Sequence, residues 1–274
     1  MAVLAHTPRP SYDPYLRAFH TAFELELSAT VCRYPMTGRD RVLDIPCGDG
    51  FYTALFARHM PGGLLVAADQ SCASLCDAER HVGLLAHGPK VEFHQADVYA
   101  LPFDAESFDL VWCAQSMISL SEPVKALREI RRVIRPGGRV AVLETDEYHH
   151  VVLPWPVELE LAIQKAVQDA CCRKYGDATK FSQARKLRAA LQEAGFAAVR
   201  KTTLAADRQA PFGPAEREFL SVHFEYLRTR IVPEMGKDQI RAFERFVEQD
   251  RSDGMFNMPS AELTVIASLH HASA

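Results

Sequence analysis

One segment joins a short apolar stretch to a glycine-containing turn and then to a helical pattern. Residues 41–50 read RVLDIPCGDG, and a mostly apolar run follows over residues 51–60. A strand that leads through a tight turn into a helix directs backbone N–H groups and the positive helix end at one point. Gly48 and Gly50 permit the positive φ and the close approach that such a turn needs. The segment therefore predicts a ligand-binding turn at the end of a buried strand.

Further apolar stretches follow this unit, and amphipathic helical patterns lie between several of them. The strand candidates are residues 63–69, 90–96, 108–114, 139–144, 196–204 and 263–269. Such alternation is typical of an α/β fold with a doubly wound, mostly parallel sheet, here seven-stranded. Ligands bind such sheets at the carboxyl ends of the strands.

We predict a single domain over residues 1–274, with helical segments at two places outside the sheet. Apolar residues near helical spacing at 11–33 predict an N-terminal cap helix. Two amphipathic helices, at 214–231 and 238–249, lie between the last two strands and predict a helical insertion over the substrate cleft at 213–258. Aromatic residues of this region, with Trp155, would line an acceptor pocket only where they face the cleft, and helical spacing favours core packing for most.

Composition excludes several classes of partner. The formal net charge is -4 at pH 7, so there is no basic field to indicate a nucleic-acid partner. No apolar run approaches the roughly 18 residues of a membrane span, and the first ten residues do not resemble a signal peptide. We therefore expect a cytoplasmic protein. The seven cysteines form no C-x-x-C pair, and we expect no metal site.

Two carboxylates follow predicted strands at the edge where a ligand would bind. Asp69 ends the second strand, and a carboxylate there can accept hydrogen bonds from both hydroxyls of an adenosine ribose while repelling a 2′-phosphate. Gln70 follows it and can reach the same nucleoside. Asp97 and Val98 follow the third strand, where the carboxylate can accept the adenine amine and the Val98 N–H can donate to a ring nitrogen. Asp97 also has a local alternative, which is to brace a turn.

These motifs resemble those of class I S-adenosylmethionine-dependent methyltransferases, in the branch with the ubiquinone and menaquinone C-methyltransferases and many natural-product O-methyltransferases. The residues that carry the resemblance are 42–50 (VLDIPCGDG), Asp69, 95–103 (QADVYALPF), 108–111 (FDLV) and 127–138 (LREIRRVIRPGG). The resemblance covers residues 40–145 and implies that this segment binds S-adenosylmethionine. It implies a methyl transfer to a small, hydrophobic or aromatic acceptor, at oxygen or carbon.

The resemblance also implies roles for individual residues. Asp44 would interact with the ammonium end of the methionine, and Pro46, Cys47, Gly48 and Gly50 would pass under the methionine and ribose. Gln115 would line the floor beside the methionine. The family's first turn glycine is replaced by Pro46, which fixes φ near -65° and removes a donor, so we expect a stiffer turn.

Two alternatives remain open from the sequence. One is an NAD-dependent enzyme of the same fold, although Pro46 and Phe51 depart from the G-x-G-x-x-G pattern. The other is a protein that binds S-adenosylmethionine or S-adenosylhomocysteine without catalysis.

Catalysis of methyl transfer need not depend on a base. In-line positioning supplies roughly 7–11 kcal/mol, whereas a general base supplies about 10²–10⁴-fold, or about 3–5 kcal/mol. If a base is used, His149 and His150 after the fifth strand are the candidates, and His223 in the insertion is another.

Overall fold

The computed structural model describes residues 14–83, 88–145, 151–176, 183–253 and 262–274. Its centre is a sheet with the strand order β3-β2-β1-β4-β5-β8, in which β7 and β6 also pair with β8. The strands are β1 (Arg41–Asp44), β2 (Leu64–Asp69), β3 (Lys90–Gln95), β4 (Phe108–Ala114), β5 (Ile134–Thr145), β6 (Val151–Val152), β7 (Ala197–Gln209) and β8 (Glu262–Ser273).

The first five strands are parallel to one another, and β8 runs against its neighbours β5, β6 and β7. The predicted doubly wound α/β sheet is therefore confirmed, and the two-residue strand β6 adds to the seven predicted strands. The chain passes from β3 at one edge to β4 beside β1, so strand order reverses between β1 and β4. A cleft at the carboxyl ends of these two strands is the expected ligand site of such a sheet.

Helices cover both faces of the sheet. On one face, α3 (Phe51–His59) packs Tyr52 and Phe56 against the fully buried Trp112 of β4. On the other face, α5 (Pro123–Val133) and α7 (Gln183–Glu193) bury an apolar stripe that includes Leu127, Ile130, Leu187 and Leu191. The remaining helix of this half, α4 (Cys72–Val82), follows β2. Strands β2 and β4 are buried almost throughout, which explains their continuous apolar sequence.

The predicted N-terminal helix is two helices in the structure. α1 (Pro14–Ala22) and α2 (Glu24–Val31) are separated by Phe23, whose φ of -120° breaks the helix. Phe23 is buried against Phe19 and Phe219, with ring centroids 5.2 and 5.4 Å away. Residues 11–13 of the prediction lie outside the described residues. The break arises because tertiary contacts hold the buried Phe23 ring in place. Helical periodicity in the sequence does not predict these contacts.

Helices α6 (Val157–Tyr175), α8 (Pro214–Tyr226) and α9 (Lys237–Asp253) form the C-terminal helical layer. The predicted helix at 214–231 stops being α-helical at Tyr226 and continues as a π-helical turn, Leu227–Ile231, followed by a 3₁₀ turn, Val232–Glu234. Most aromatic side chains of this layer are core residues: Phe219, Phe224, Phe243 and Phe246 are buried, and Trp155 packs on Phe246. Phe256 lies outside the described residues. Across the described helices, none combines the length and apolar character that a bilayer crossing requires.

Candidate functional site: two connected cavities at the strand ends

A cleft of about 350 Å³ opens at the carboxyl edge of the sheet, where strand order reverses. It is lined by Ile45, Pro46, Asp69, Gln70, Ala96, Asp97, Val98, Tyr99, Gln115, Ser116, Ser119, Leu120 and Ser121. Six of the residues predicted for the cofactor are among them, because the ends of β1, β2, β3 and β4 meet at this edge. Its volume lies in the range of small-molecule sites.

The turn after β1 forms one wall of this cleft. Pro46 follows a cis peptide bond and lines the cleft, and Gly48 and Gly50 have positive φ of 54° and 82°. At Gly50, an added Cβ would lie 2.7 Å from the backbone of Ala78 in α4, so glycine is required there for helix packing. The Cys47 N–H donates to the Ala68 carbonyl at 2.9 Å, which ties the turn to β2. Cys47, Gly48 and Gly50 thus determine the conformation of the turn and are absent from the lining of the cleft.

Asp44 lies under the turn and does not line the cleft. Its side chain is buried and accepts a hydrogen bond from the Thr53 hydroxyl at 2.6 Å. Burial raises the pKa of Asp44 from its ordinary 3.8 to about 7, and the Thr53 hydrogen bond opposes this shift. The structure therefore places Asp44 behind the wall of the cleft, bonded to the first turn of the helix that follows.

Asp69 connects the turn to the next helix. Its Oδ2 accepts from the Gly48 N–H at 3.1 Å, and its Oδ1 accepts from the Ser71 N–H at 2.8 Å. The residue is largely buried, and burial raises its pKa while the two backbone hydrogen bonds lower it. Each carboxylate oxygen can accept more than one hydrogen bond, so both stay available to a ligand with two adjacent hydroxyls.

Gln70, Asp97 and Val98 complete the far side of the cleft. The Gln70 carbonyl accepts from the Gln95 side chain at 3.0 Å, which fixes the loop after β2. Asp97 Oδ1 accepts from the Tyr99 N–H at 2.9 Å, so the turn-bracing role that the sequence allowed is observed. Asp97 is nevertheless exposed in the cleft, and Val98 is buried beside it. The bond to Tyr99 uses Oδ1 alone, which leaves Oδ2 for a ligand.

Gln115 is the residue that joins the cleft to the N-terminal helix. It has a positive φ of 51°, and its Oε1 lies 2.7 Å from His20 Nε2 of α1. The Tyr52 hydroxyl donates to the same oxygen at 3.5 Å. The His20 ring stacks on Phe51 with centroids 4.1 Å apart, and burial lowers the pKa of His20 to about 4, so the ring is neutral at pH 7. Sequence reasoning missed His20, since a lone histidine on an amphipathic helix carries no signal of its own.

A second cavity of about 540 Å³ adjoins the first and shares Gln115 and Ser119 with it. Its walls come from α1, the ends of β4 and β5, α6 and the π-helical turn. The lining residues are Tyr15, Leu16, Phe19, Gln115, Ile118, Ser119, Glu144, Thr145, Val167, Ala170, Cys171, Arg173, Lys174, Tyr175, Tyr226, Arg230, Ile231 and Glu234. Of the aromatic residues proposed from the insertion, Tyr226 alone among those described is in this lining.

Glu144 fixes the boundary between the two cavities. It is the next-to-last residue of β5, is buried, and its Oε1 accepts from the N–H groups of Ser116 and Met117 at 2.7 and 2.6 Å. These bonds hold the loop after β4, which carries Gln115 and Ser119. Glu144 therefore contributes to the shape of the site, a role that its position in the sequence did not indicate.

Of the candidate catalytic histidines, His223 alone is among the described residues. His149 and His150 lie outside the described residues. His223 is buried in α8, and its Nδ1 lies 3.2 Å from the Tyr15 hydroxyl, behind the wall of the second cavity. Among the described residues, no three His, Cys, Asp or Glu side chains are grouped as metal ligands.

The cleft fits S-adenosylmethionine in polarity and charge. Asp69 suits a ribose diol, and Val98 lies beside Asp97 where an adenine would find an apolar wall and an acceptor. Of the described residues that line the cleft, two are carboxylates and none is basic. The two carboxylates attract a ligand with a sulfonium and an ammonium group. They would repel the two phosphate charges of a dinucleotide. The fold and the cleft thus resemble those of class I S-adenosylmethionine-dependent methyltransferases.

Comparison with known proteins agrees with this class. Residues 43–142 match the family model described as a methyltransferase domain. An uncharacterized methyltransferase of Schizosaccharomyces pombe is 31% identical over 56% of this chain and 56% of its own length. A ubiquinone/menaquinone biosynthesis C-methyltransferase of Hahella chejuensis is 41% identical over 38% of this chain and 42% of its own. The matches thus span about half the length of these relatives.

Solved structures share the fold across nearly the whole chain. The YcgJ protein of Bacillus subtilis superposes with a TM-score of 0.55 at 17% identity, covering 91% of this chain and 98% of its own. Phosphoethanolamine N-methyltransferase 2 of Haemonchus contortus, in complex with S-adenosylhomocysteine, gives a TM-score of 0.52 at 17% identity, covering 94% and 56%.

Proposed function

We propose that this protein transfers a methyl group from S-adenosylmethionine to oxygen or carbon of a small, predominantly hydrophobic acceptor. The observation that carries the proposal is the junction of the two cavities at Gln115 and Ser119. A donor in the first cavity and an acceptor in the second would meet at this junction. Bound S-adenosylmethionine supplies a methyl group that its sulfonium sulfur already activates for displacement.

The chain's own contribution is positioning. Asp69 and Gln70 bind the ribose, Asp97 and Val98 bind the adenine, and the turn from Pro46 to Gly50 supports the methionine. Gln115 Oε1 is occupied by His20 and Tyr52, so its amide N–H groups are the polar end available to a ligand. Apolar side chains around the second cavity exclude water from the reacting atoms. Holding the acceptor in line with sulfur and methyl supplies roughly 7–11 kcal/mol of the barrier.

A general base is assigned to His149 or His150 when the acceptor is a hydroxyl. Both follow β5 in the sequence, and β5 ends at the boundary of the second cavity. His149→Ala and His150→Ala variants, assayed separately with a hydroxyl acceptor, should lower kcat in one case and leave it intact in the other. Unchanged kcat in both would retire the assignment.

The test of the donor site is calorimetric binding of S-adenosylhomocysteine. We expect wild-type protein to bind it at micromolar affinity, and Asp69→Ala to weaken binding by about 100-fold, since two charge-assisted hydrogen bonds to the diol are lost at about 1.5 kcal/mol each. Asp238→Ala, an exposed aspartate on α9, is the matched control and should bind normally. Preferential binding of NAD, or an Asp69→Ala variant of unchanged affinity, would contradict the donor site.

Turnover is tested with the same protein and a panel of phenols, quinones, sugars and lipids as acceptors. Methylation of an apolar phenol or quinone is the expected result. Tight S-adenosylhomocysteine binding with no turnover on any member of the panel would favour the non-catalytic alternative.

A further inference from the structure

The second cavity carries opposite charges at its two ends. At the buried end, Glu144 borders the junction with the first cavity, which we call the donor cleft. At the exposed end, the lining includes Arg173, Lys174, Arg230 and Glu234. Arg173 is already paired, since its Nη2 lies 2.8 Å from Glu234 Oε1. Lys174 and Arg230 have no carboxylate partner among the residues that the structure describes, so the described lining of the mouth has a net positive charge.

Arg230 is presented by an unusual piece of backbone. It lies on the π-helical turn Leu227–Ile231, whose terminal residues Leu227 and Ile231 are both buried. Arg228 fixes the same turn through Nε and Nη2, which donate to the two carboxylate oxygens of Glu244 at 3.0 Å each. Arg228 thus fixes the turn, and Arg230 of the same turn lines the cavity. π-Helical turns are rare and recur at functional sites.

Lys174 reaches the same mouth from another element. It lies in the last turn of α6, and its Nζ is 4.9 Å from the ring centroid of Tyr175, which also lines the cavity. Cations from two separate helical elements therefore converge on one opening. The lining of the cavity also includes apolar side chains such as Leu16, Phe19, Ile118 and Val167.

We infer that the methyl acceptor is amphipathic and acidic: its anionic group binds Arg230 and Lys174 while its apolar body extends to the junction at Gln115. The inference rests on the proposed methyl transfer and specifies its substrate class. A carboxylate or phosphate matches the planar guanidinium of Arg230. A cavity of about 540 Å³ suits a small molecule with one such group.

The experiment compares 6-hydroxy-2-naphthoic acid with its methyl ester, which differ by one negative charge. Binding is followed by naphthol fluorescence in the presence of saturating S-adenosylhomocysteine. At low salt the acid should bind wild-type protein about tenfold more tightly than the ester, as expected for charge-assisted contacts at a partly exposed site. The preference should shrink as salt is raised to about 0.5 M.

Variants assign the preference to its residues. Arg230→Met and Lys174→Met should each weaken binding of the acid about threefold to tenfold and leave the ester unchanged, and Arg230→Lys should retain part of the preference. Lys165→Met is the matched control, because Lys165 lies on the same helix as Lys174, pairs with Asp169 and is absent from the cavity lining.

The readouts separate this inference from the proposed function. Loss of S-adenosylhomocysteine binding in wild-type protein would contradict the methyltransferase proposal itself. Wild-type protein that binds S-adenosylhomocysteine but binds both probes equally, or neither of them, overturns the acidic-acceptor inference alone. Equal loss of acid and ester in the methionine variants would overturn it as well.

Discussion

His20 links the N-terminal helix to the floor of the donor cleft. Its ring lies parallel to Phe51 and edge-on to Tyr52, with centroids 4.1 and 5.4 Å away, and its Nε2 reaches Gln115. Because the pKa of His20 is lowered to about 4, the ring stays neutral and keeps this geometry throughout the neutral pH range. Under the proposed function His20 is a positioning residue, because it would act on a ligand through Gln115.

Replacing His20 with leucine should weaken S-adenosylhomocysteine binding about tenfold. The substitution preserves apolar contacts but removes one hydrogen bond to the half-buried Gln115 amide oxygen, a loss of about 0.5–1.5 kcal/mol, and the Gln115 amide can then rotate. Calorimetric titration measures the effect.

A His20→Gln variant controls for packing, because its amide can donate to Gln115 again. It should recover most of the affinity. Leucine and glutamine variants of equal affinity would show that His20 has a packing role only.

Residues at the strand ends were predictable from the sequence, and residues that reach the site from helices were not. Asp69 and Asp97 directly follow apolar strands, and parallel strands bring their carboxyl ends to one edge. His20 contacts Gln115 only because of how α1 packs in the folded protein. Local periodicity in the sequence does not predict that packing. Whether Asp44 faces the ligand or lies beneath the turn likewise depends on its bond to Thr53.

At the scale of elements, Arg208 attaches the N-terminal helices to β7. Its Nη1 and Nη2 donate to the two carboxylate oxygens of Glu26 at 2.7 and 2.9 Å, and Nη2 also donates to the Ala22 carbonyl at 3.0 Å. Its guanidinium carbon lies 5.0 Å from the ring centroid of Phe23. One side chain from the sheet therefore stabilises the helix break on both sides of Phe23.

Arg208→Met should lower the free energy of unfolding by about 2 kcal/mol, because a bidentate pair and a carbonyl hydrogen bond are lost together. Denaturant titration of Arg208→Met, Glu26→Gln and the double variant measures the coupling, for which we expect about 1–2 kcal/mol. Additive single effects would mean that the pair contributes nothing beyond its separate side chains.

The boundaries of the helical layer show why elements were easier to predict than their ends. The apolar stripe of α8 continues past Tyr226, so periodicity alone extended the helix to 231. The backbone instead changes to a π-helical turn that the Arg228–Glu244 pair holds in place. The same limit applies at Phe23. Its ring is buried against Phe219, and the helix is interrupted at this residue.

At the scale of the whole molecule, the donor cleft concentrates acidic groups beneath one turn. Asp44 is the most buried of them, and the charges of Asp69 and Asp49 add to burial in raising its pKa to about 7. Such an arrangement favours a cationic ligand over the empty cleft, since a positive charge nearby relieves the repulsion. It also makes stability depend on pH.

The folded-state pKa of Asp44 lies above its ordinary 3.8, so the folded protein holds a proton that the unfolded chain releases. The stability contributed by this proton is present in full at low pH and is lost as pH rises through about 7. Above that, wild-type protein holds a buried charge whose cost is at most about 4 kcal/mol, at 1.36 kcal/mol per pH unit.

Asp44→Asn keeps an acceptor for Thr53 but cannot ionise. Relative to wild type, the variant should therefore gain about 2 kcal/mol of stability as pH rises from 5.5 to 8.5, because only the interval up to about pH 7 contributes. Urea unfolding at a series of pH values measures the difference, with Asp238→Asn on the exposed surface of α9 as the matched control. Parallel profiles for Asp44→Asn and wild type would mean that Asp44 ionises normally, and the charge of the donor cleft would then have to be assigned to Asp69 and Asp97 alone.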